Sequence, residues 1–404
     1  MKVLLQKISR DGIVPSLKTS GVFRFFLCNL LFSINFWLVF AYYPIYFNKL
    51  GISDKRIGVL VAVLSFVTLI SVFPFGVASD RFSAKTLLRT GAFTLAVGNV
   101  LITQSNNFYY VLLIVMLSGA GSTLFIVTLF SLYYKQLEGH RRGVKIALFT
   151  LGTSLGFGIG PFAGGFIINY IGLEWVFMFS AFFNFVLFFL VSYLRSSVPV
   201  KFRIDMYWKD LVRPDVLFLI IVVFIMSSHF GVERTCMTLL MSKVINLSGL
   251  QTGTIFLAIG LWISVLGLFA GHFFDKTKRV ILLIAFSMLI TGVFQIVTAY
   301  VDSFASLLIV RLLHTIGDSS FMVLKGVLIT IIFPLERMGG NFGFVYSINT
   351  LASSIFALIS GILSGYYGYG FPFIASGLLL VVAAVILIIT KGRVGRILME
   401  HKVR

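Results

Sequence analysis

Four hundred and four residues would suit two or three soluble domains, but the composition excludes that reading. Hydrophobic residues make up 58% and charged residues 12%, with a mean hydropathy of +1.01, whereas a soluble domain carries roughly 25% charged residues. The formal charge of +19 would suit a nucleic-acid binder, yet the basic residues lie between long apolar runs. Nucleic acid is therefore not expected as a partner; the lipid bilayer is.

Twelve apolar spans are predicted in chain order, at 22–48, 56–79, 86–104, 108–135, 144–170, 174–194, 214–242, 250–273, 280–300, 304–333, 341–367 and 371–390. Each has about the 20 residues that a helical crossing needs, or more. Ahead of them, Lys2, Lys7, Arg10 and Lys18 stand beside Leu4, Leu5, Ile8 and Ile13. That segment reads as either an interfacial helix or a solvated basic tail, with no cleavable signal. Four Lys or Arg fall in loops of one side (Lys49, Lys55, Arg56, Lys243) and three fall inside spans (Arg234, Arg311, Lys325). The other 26 lie on the side of both termini, which the positive-inside rule assigns to the cytoplasm. Cys28 and Cys236 sit in separate spans and read as packing residues.

The chain repeats itself at an offset near 195 residues. Gly76-Val-Ala-Ser-Asp80-Arg81 ends the second span, and Gly271-His-Phe-Phe-Asp275-Lys276 ends the eighth. Leu112-Leu-Ile-Val115 recurs as Leu307-Leu-Ile-Val310, and Gly165, Tyr170, Gly172 and Phe177 recur as Gly361, Tyr366, Gly368 and Phe373. The repeat divides the chain into two six-helix halves, 1–195 and 214–404, joined by a basic connector over 196–213.

Two parallel repeats of six helices, with the loop Gly76, Asp80, Arg81 and Lys85, resemble the major facilitator superfamily over essentially the whole chain. Ser83 stands where the signature usually has a second Gly, and Gly271, Asp275 and Lys276 form the weaker second copy. The resemblance implies an all-α membrane protein of twelve helices in two pseudo-symmetric bundles. Its cavity would be lined by spans 1, 4, 7 and 10. Asp80, at a helix end, can accept hydrogen bonds from another helix's N-terminus or pair with an Arg, latching the halves in one state. Alternatively Arg81, Lys85 and Arg89 only anchor topology, with Asp80 their solvated counterion.

In the fifth span Gly152, Gly156, Gly160 and Gly164 stand four apart and form a ridge without side chains, adjoined by Pro161 and Gly165. Small residues at this spacing let membrane helices pack backbone to backbone. Gly253, Gly260 and Gly267 make a strip on the eighth span, and the resemblance implies that the two strips meet. The run Gly156 to Gly165 also resembles the fifth-helix motif of facilitator antiporters, with Ala147 in place of the usual upstream Gly. That implies export.

Five ionisable residues besides His lie within spans: Glu233 and Arg234 on the seventh, Arg311, Asp318 and Lys325 on the tenth. Such residues are costly in a membrane unless paired or facing water, so they mark a site. Glu233 and Arg311 reach similar depths and can pair, while His314 and Asp318 are four apart and can touch. Asp318, His314 and Glu233 are therefore the proton-coupling candidates, with Asp318 favoured as carrier. Arg311, Arg234, Lys325, His229, Asn35 and Tyr42 are candidates for the substrate cavity. A fixed structural charge network is the alternative for Glu233 and Arg311.

Drug-exporting relatives often carry an Arg within the fourth helix; Met116 stands there, and Arg311 holds the equivalent place in the tenth span. The expected function is secondary active transport of a small organic solute by alternating access, as proton-coupled efflux. Three bases against two acids hint at an anionic or zwitterionic solute. A proton-coupled importer of an organic anion or sugar is the alternative. From another class, His229 and His314 could ligate a haem, or the chain could be a transporter-like sensor. No Gly-rich Lys-Ser/Thr loop appears, which argues against a nucleotide-driven pump. Neither enzymatic activity, cofactor nor metal is expected. The chain is expected to act as a monomer, multi-pass in a bacterial or archaeal inner or plasma membrane.

Overall fold

The computed structural model describes residues 21–137, 141–195 and 205–400. The basic segment before residue 21 and positions 196–204 of the connector lie outside the described residues. Within them the chain is helical. Spans 1 to 6 are Val22–Phe40 with its continuation Tyr43–Lys49, Asp54–Arg81, Ala84–Leu101, Phe108–Lys135, Arg142–Tyr170 and Leu173–Leu190. Spans 7 to 12 are Pro214–Val232 with its continuation to Val244, Gly249–Thr277, Val280–Thr298, Phe304–Ile332, Met338–Tyr367 and Phe371–Glu400. The connector is itself partly helical, over Asp205–Leu211.

Apolar composition explains why these segments are helices: lipid offers backbone amides no partner, so each must bond within its own segment. Where spans meet water, side chains take over the unpaired amides. Asn107 caps span 4 by accepting from the amides of Tyr109 and Tyr110, and Ser248 and Ser303 close capping boxes on spans 8 and 10. Span 3 is the least apolar, carrying Lys85 and Arg89, and eleven of the twelve pass as membrane-crossing on length and composition. Lys85 and Arg89 reach along span 6 to the carbonyl and hydroxyl of Ser192, keeping their charges at the membrane edge. The outer faces carry a belt of exposed Phe, Ile, Leu and Tyr, Phe66, Phe162 and Ile389 among them, a surface suited to lipid.

Spans 1–6 and 7–12 form two bundles. Both described chain ends, residues 21 and 400, lie at one end of the assembly, here the basal end; the other is distal. The bundles meet mainly in their basal halves. Phe130 of span 4 stacks on Phe342 of span 11, ring centroids 5.2 Å apart. Span 2 packs on span 11, where a Cβ at Gly343 would meet the Val72 carbonyl. Span 5 packs on span 8, where Gly143 lies against Gly271 and Gly158 against Gly260.

The glycine ridge of span 5 does not face span 8 as expected. A Cβ at Gly152, Gly156 or Gly160 would meet the backbone of span 1 at Leu30, Ser33 and Ile34, and one at Gly164 would meet the Tyr42 ring. The ridge is thus an internal seam of the first bundle, stapled by Asn29, whose Nδ2 donates to the Phe149 carbonyl at 2.7 Å. The side turned to span 8 carries Gly143, Ala147 and Gly158 instead. Of the span 8 strip only Gly260 touches span 5; Gly267 looks to Ser319 and Val323 of span 10.

Candidate functional site

The basal seam holds two matching contacts. Asp80, at the end of span 2, lies at the N-terminus of span 11. Its Oδ1 accepts from Gly339 N–H and its Oδ2 from Gly340 N–H, both at 2.8 Å. Gly339 must lack a side chain, because a Cβ there would meet Ser79 and Asp80. The carboxylate also accepts the Tyr207 hydroxyl at 2.7 Å and pairs with Lys135 at 2.6 Å. Burial, and then the charge of Asp80, push the Tyr207 phenol above its ordinary range, so it stays a donor.

Asp275, at the end of span 8, does the same for span 5. It accepts from Gly143 N–H at 3.0 Å and Val144 N–H at 2.8 Å. Anions are favoured at such helix ends, where amides are free and the dipole is positive. Asp80 thus meets a helix N-terminus, one of the two contacts expected of it, and Asp275 makes the same kind of contact. Lys135 pairs with Asp80, Lys278 with Asp275 at 3.3 Å, Lys276 is exposed, and Lys85 ties span 3 to span 6. Sequence reading also missed the connector. Its Asp210 is gripped by Arg337 at 2.6 and 2.9 Å and by Asn341 at 3.0 Å. Glycines opening spans 5 and 11 were the available signal.

Distal to these two contacts, spans 7 and 10 bring charged residues together. Span 7 widens into a π turn at Glu233–Met237, a departure often found at functional sites. Arg311 donates to Glu233 at 2.6 Å. His314 lies between two carboxylates, with Nε2 3.5 Å from Glu233 and Nδ1 3.2 Å from Asp318. The other Asp318 oxygen is 3.1 Å from His229 Nε2 and accepts the Thr291 hydroxyl at 3.2 Å. The order is Arg311, Glu233, His314, Asp318, His229, and both imidazoles are fully buried. The expected pairs are present; the joining of His229 was not foreseen.

His229, Glu233, His314 and Asp318 each bring a ligand atom within 4.8 Å of the others, a set able to surround a small cation. Arg311 already supplies a positive charge there. The bis-histidine haem does not fit. The ring centroids are 5.5 Å apart and Asp318 contacts both rings, leaving no slot for a macrocycle. Two further candidates lie elsewhere than expected. Tyr42 donates to the Pro161 carbonyl at 2.6 Å, inside the span 1–span 5 seam. Asn35 is buried within the first bundle, in a small pocket with Asn99, Ser118 and Asn184.

Twelve helical spans in two bundles, with charges buried between spans 7 and 10, define a polytopic helical membrane protein. Its sequence matches the family model of the Major Facilitator Superfamily over residues 25–299 and again over 235–396. The chain belongs to that superfamily. It is 28% identical over 189 residues to an uncharacterized MFS-type transporter of Methanocaldococcus jannaschii, covering 44% of this chain and 48% of that protein. It is 29% identical over 161 residues to the multidrug resistance protein MdtH of Yersinia enterocolitica, covering 39% and 40%. The chain thus spans less than half the length of either relative. Among solved structures, the human organic anion transporter MFSD10 superposes with a TM-score of 0.77 at 17% identity, over 91% of this chain and 98% of that one. A bacterial homologue of the iron transporter ferroportin, in an outward-facing state, gives 0.75 at 12% identity, over 92% and 100%. At those identities the likeness is one of fold.

Proposed function

We propose that the protein is a proton-coupled secondary transporter that moves a small organic solute outward by alternating access. In this reading residues 1–195 and 214–404 rock as two bodies about the 196–213 connector, within one monomer. The basal end, rich in Lys and Arg, is cytoplasmic, in a prokaryotic inner or plasma membrane. The Asp80 and Asp275 latches hold that side shut, so the charge cluster communicates with the distal side.

One observation carries the coupling: carboxylate oxygens of Asp318 and Glu233 lie 3.2 and 3.5 Å from the two ring nitrogens of His314, within ion-pair distance but not aligned as hydrogen bonds. A neutral imidazole offers one N–H and one lone pair. One of those carboxylates therefore lies beside an unprotonated nitrogen unless a further proton is bound. Charge counting agrees. Glu233 and Asp318 against Arg311 leave one negative charge, and buried clusters favour neutrality. A single proton, on His314 or Glu233, completes the site. Asp318, in contact with two imidazoles and a hydroxyl, is the ionised anchor, so we place the carrier at His314 and Glu233 rather than at Asp318. Outward direction is supported by the fifth-span motif and by the Yersinia relative's name as a multidrug resistance protein.

The test uses proteoliposomes holding a trapped pH dye and a panel of organic solutes. Solute-dependent proton movement in the wild type, lost in His314→Gln while solute exchange survives, is expected. Accumulation indifferent to the pH gradient would remove the coupling, and inward-only accumulation in oriented vesicles would reverse the direction.

A further inference from the structure

Of the five intramembrane charges on spans 7 and 10 singled out above, three share one cluster and two stand outside it. Glu233, Arg311 and Asp318 belong to the cluster above. Arg234 and Lys325 have no carboxylate within ion-pair distance among the described residues. Each instead points at span 11. An Arg234 guanidinium nitrogen lies 3.4 Å from Ser353 Oγ, and the Lys325 ammonium lies 3.5 Å from Asn349 Oδ1. Asn349 and Ser353 are four residues apart, so they share one face of span 11, about 6 Å apart along its axis.

Both contacts are long and both are to neutral groups. Asn349 Oδ1 already accepts the Ser227 hydroxyl at 3.0 Å, which weakens what it offers Lys325. Arg234 keeps exposed surface, whereas Lys325 is largely covered and lies beside the Phe321 ring, 6.0 Å from its centroid. Two cations from different helices thus converge on one strip of a third helix with no matching negative charge. A cation in a membrane interior is costly unless it meets a counter-charge or water. Elsewhere in the same two spans, Arg311 has its carboxylate; at Arg234 and Lys325 only water or a group from outside the chain can answer the charge.

We infer that the strip between spans 7, 10 and 11 is the binding site for the anionic group of the transported solute, and that the solute is an organic anion. The Arg234 guanidinium matches a carboxylate or phosphoryl group with two donors, and Lys325 adds a point charge. Asn349 and Ser353 supply neutral hydrogen-bonding groups at the same level. Phe321, beside Lys325, offers a face for an apolar part of the solute. The assignment rests on the transporter reading but not on its proton coupling, because Arg234 and Lys325 stand outside the His314 cluster.

The test is equilibrium binding to the purified full chain in lipid nanodiscs, read by calorimetry and by thermal unfolding. Benzoate, phenyl phosphate and benzenesulfonate are compared with benzamide and benzylammonium, which keep the ring and change the charge. The anions are expected to bind and to raise the unfolding temperature, and the neutral and cationic probes are not. Arg234→Gln and Lys325→Gln should each weaken anion binding about tenfold or more, the scale of one charged hydrogen bond. Lys325→Arg, which keeps the charge, should retain binding and serves where the Gln variant does not fold. Anions binding no better than benzamide, or affinities unchanged in folded charge-removing variants, would overturn the assignment. Preference among the three anions separates a carboxylate solute from a phosphate or sulfonate one. Loss of proton movement with anion binding intact would sink the coupling and leave this site standing.

Discussion

The Tyr207 hydroxyl donates to Asp80 across 2.7 Å, linking the connector helix to the end of span 2. Because the same carboxylate receives amides of the first turn of span 11 and pairs with Lys135 of span 4, Asp80 joins four parts of the chain at one buried point. Asp80→Asn should therefore favour opening of the basal end. It strips Lys135 of its counter-charge, a loss of about 3 kcal/mol for a broken buried pair. Turnover is expected to fall while solute affinity stays near wild type, since a latch shifts populations without touching the solute. Initial rates over a range of solute concentrations check this, and an unchanged maximal rate in folded protein would contradict the latch.

Tyr207→Phe removes one donor and leaves the helix N-terminus in place, so its effect should be near 1 kcal/mol. Its pH dependence is also fixed in sign. With the phenol's pKa raised in the folded state, its contribution is fully present below the unfolded value near 10. It declines only as pH rises past that value. The difference in unfolding temperature between wild type and Tyr207→Phe should accordingly stay constant from pH 6 to about 9. A difference that vanished within this interval would mean the hydroxyl is not the donor.

Glycines on the two sides of span 5 should fail differently. Gly156→Ala drives a methyl into the span 1 backbone at Ser33, so it should lower stability by about 1–3 kcal/mol, the range for overpacking. Gly158 has more room, its nearest neighbour being a Leu257 methyl at 3.6 Å, so Gly158→Ala should fold normally. Gly158→Leu should then part spans 5 and 8 and change transport more than stability. Thermal unfolding beside transport rates separates the outcomes, and equal destabilisation at both positions would remove the distinction.

Within the charge cluster, Glu233→Gln and Asp318→Asn should differ in kind. Glu233→Gln keeps shape but leaves Arg311 without its carboxylate and His314 without one of its two. Gradient-driven accumulation should be lost while exchange continues in the protein that folds. Asp318→Asn removes the anchor shared by both imidazoles, so loss of expression or stability should come first. Should Asp318→Asn be well folded and uncoupled while Glu233→Gln still concentrates solute, the carrier lies at Asp318.

What the sequence made legible follows from which forces are local. Span positions were readable because lipid requires long apolar helices, and the 195-residue repeat placed Asp80 and Asp275 at equivalent ends. The Glu233–Arg311 and His314–Asp318 contacts were readable from depth along helices and four-residue spacing. Which neighbour a face meets was not. The spacing of Gly152 to Gly164 defines a ridge but not whether span 1 or span 8 lies against it. His229 was placed in the substrate cavity rather than beside Asp318 for the same reason, since that contact depends on how spans 7 and 10 are rotated. Tyr207 gave no signal at all, standing in a stretch whose composition reads as a tether.

The connector helix breaks the symmetry that the repeat suggests. Asp275 has nothing equivalent to Tyr207 among its recorded partners, and Asp210 fastens the connector to Arg337 and Asn341 of span 11. In the proposed rocking motion Tyr207 would travel with span 11 and leave Asp80 together with Gly339 and Gly340. The span 2–span 11 side therefore releases three donors from one carboxylate, against two amides on the span 5–span 8 side. In that proposed motion the two pseudo-symmetric seams are thus unequal in the polar contacts that opening must break at the two carboxylates.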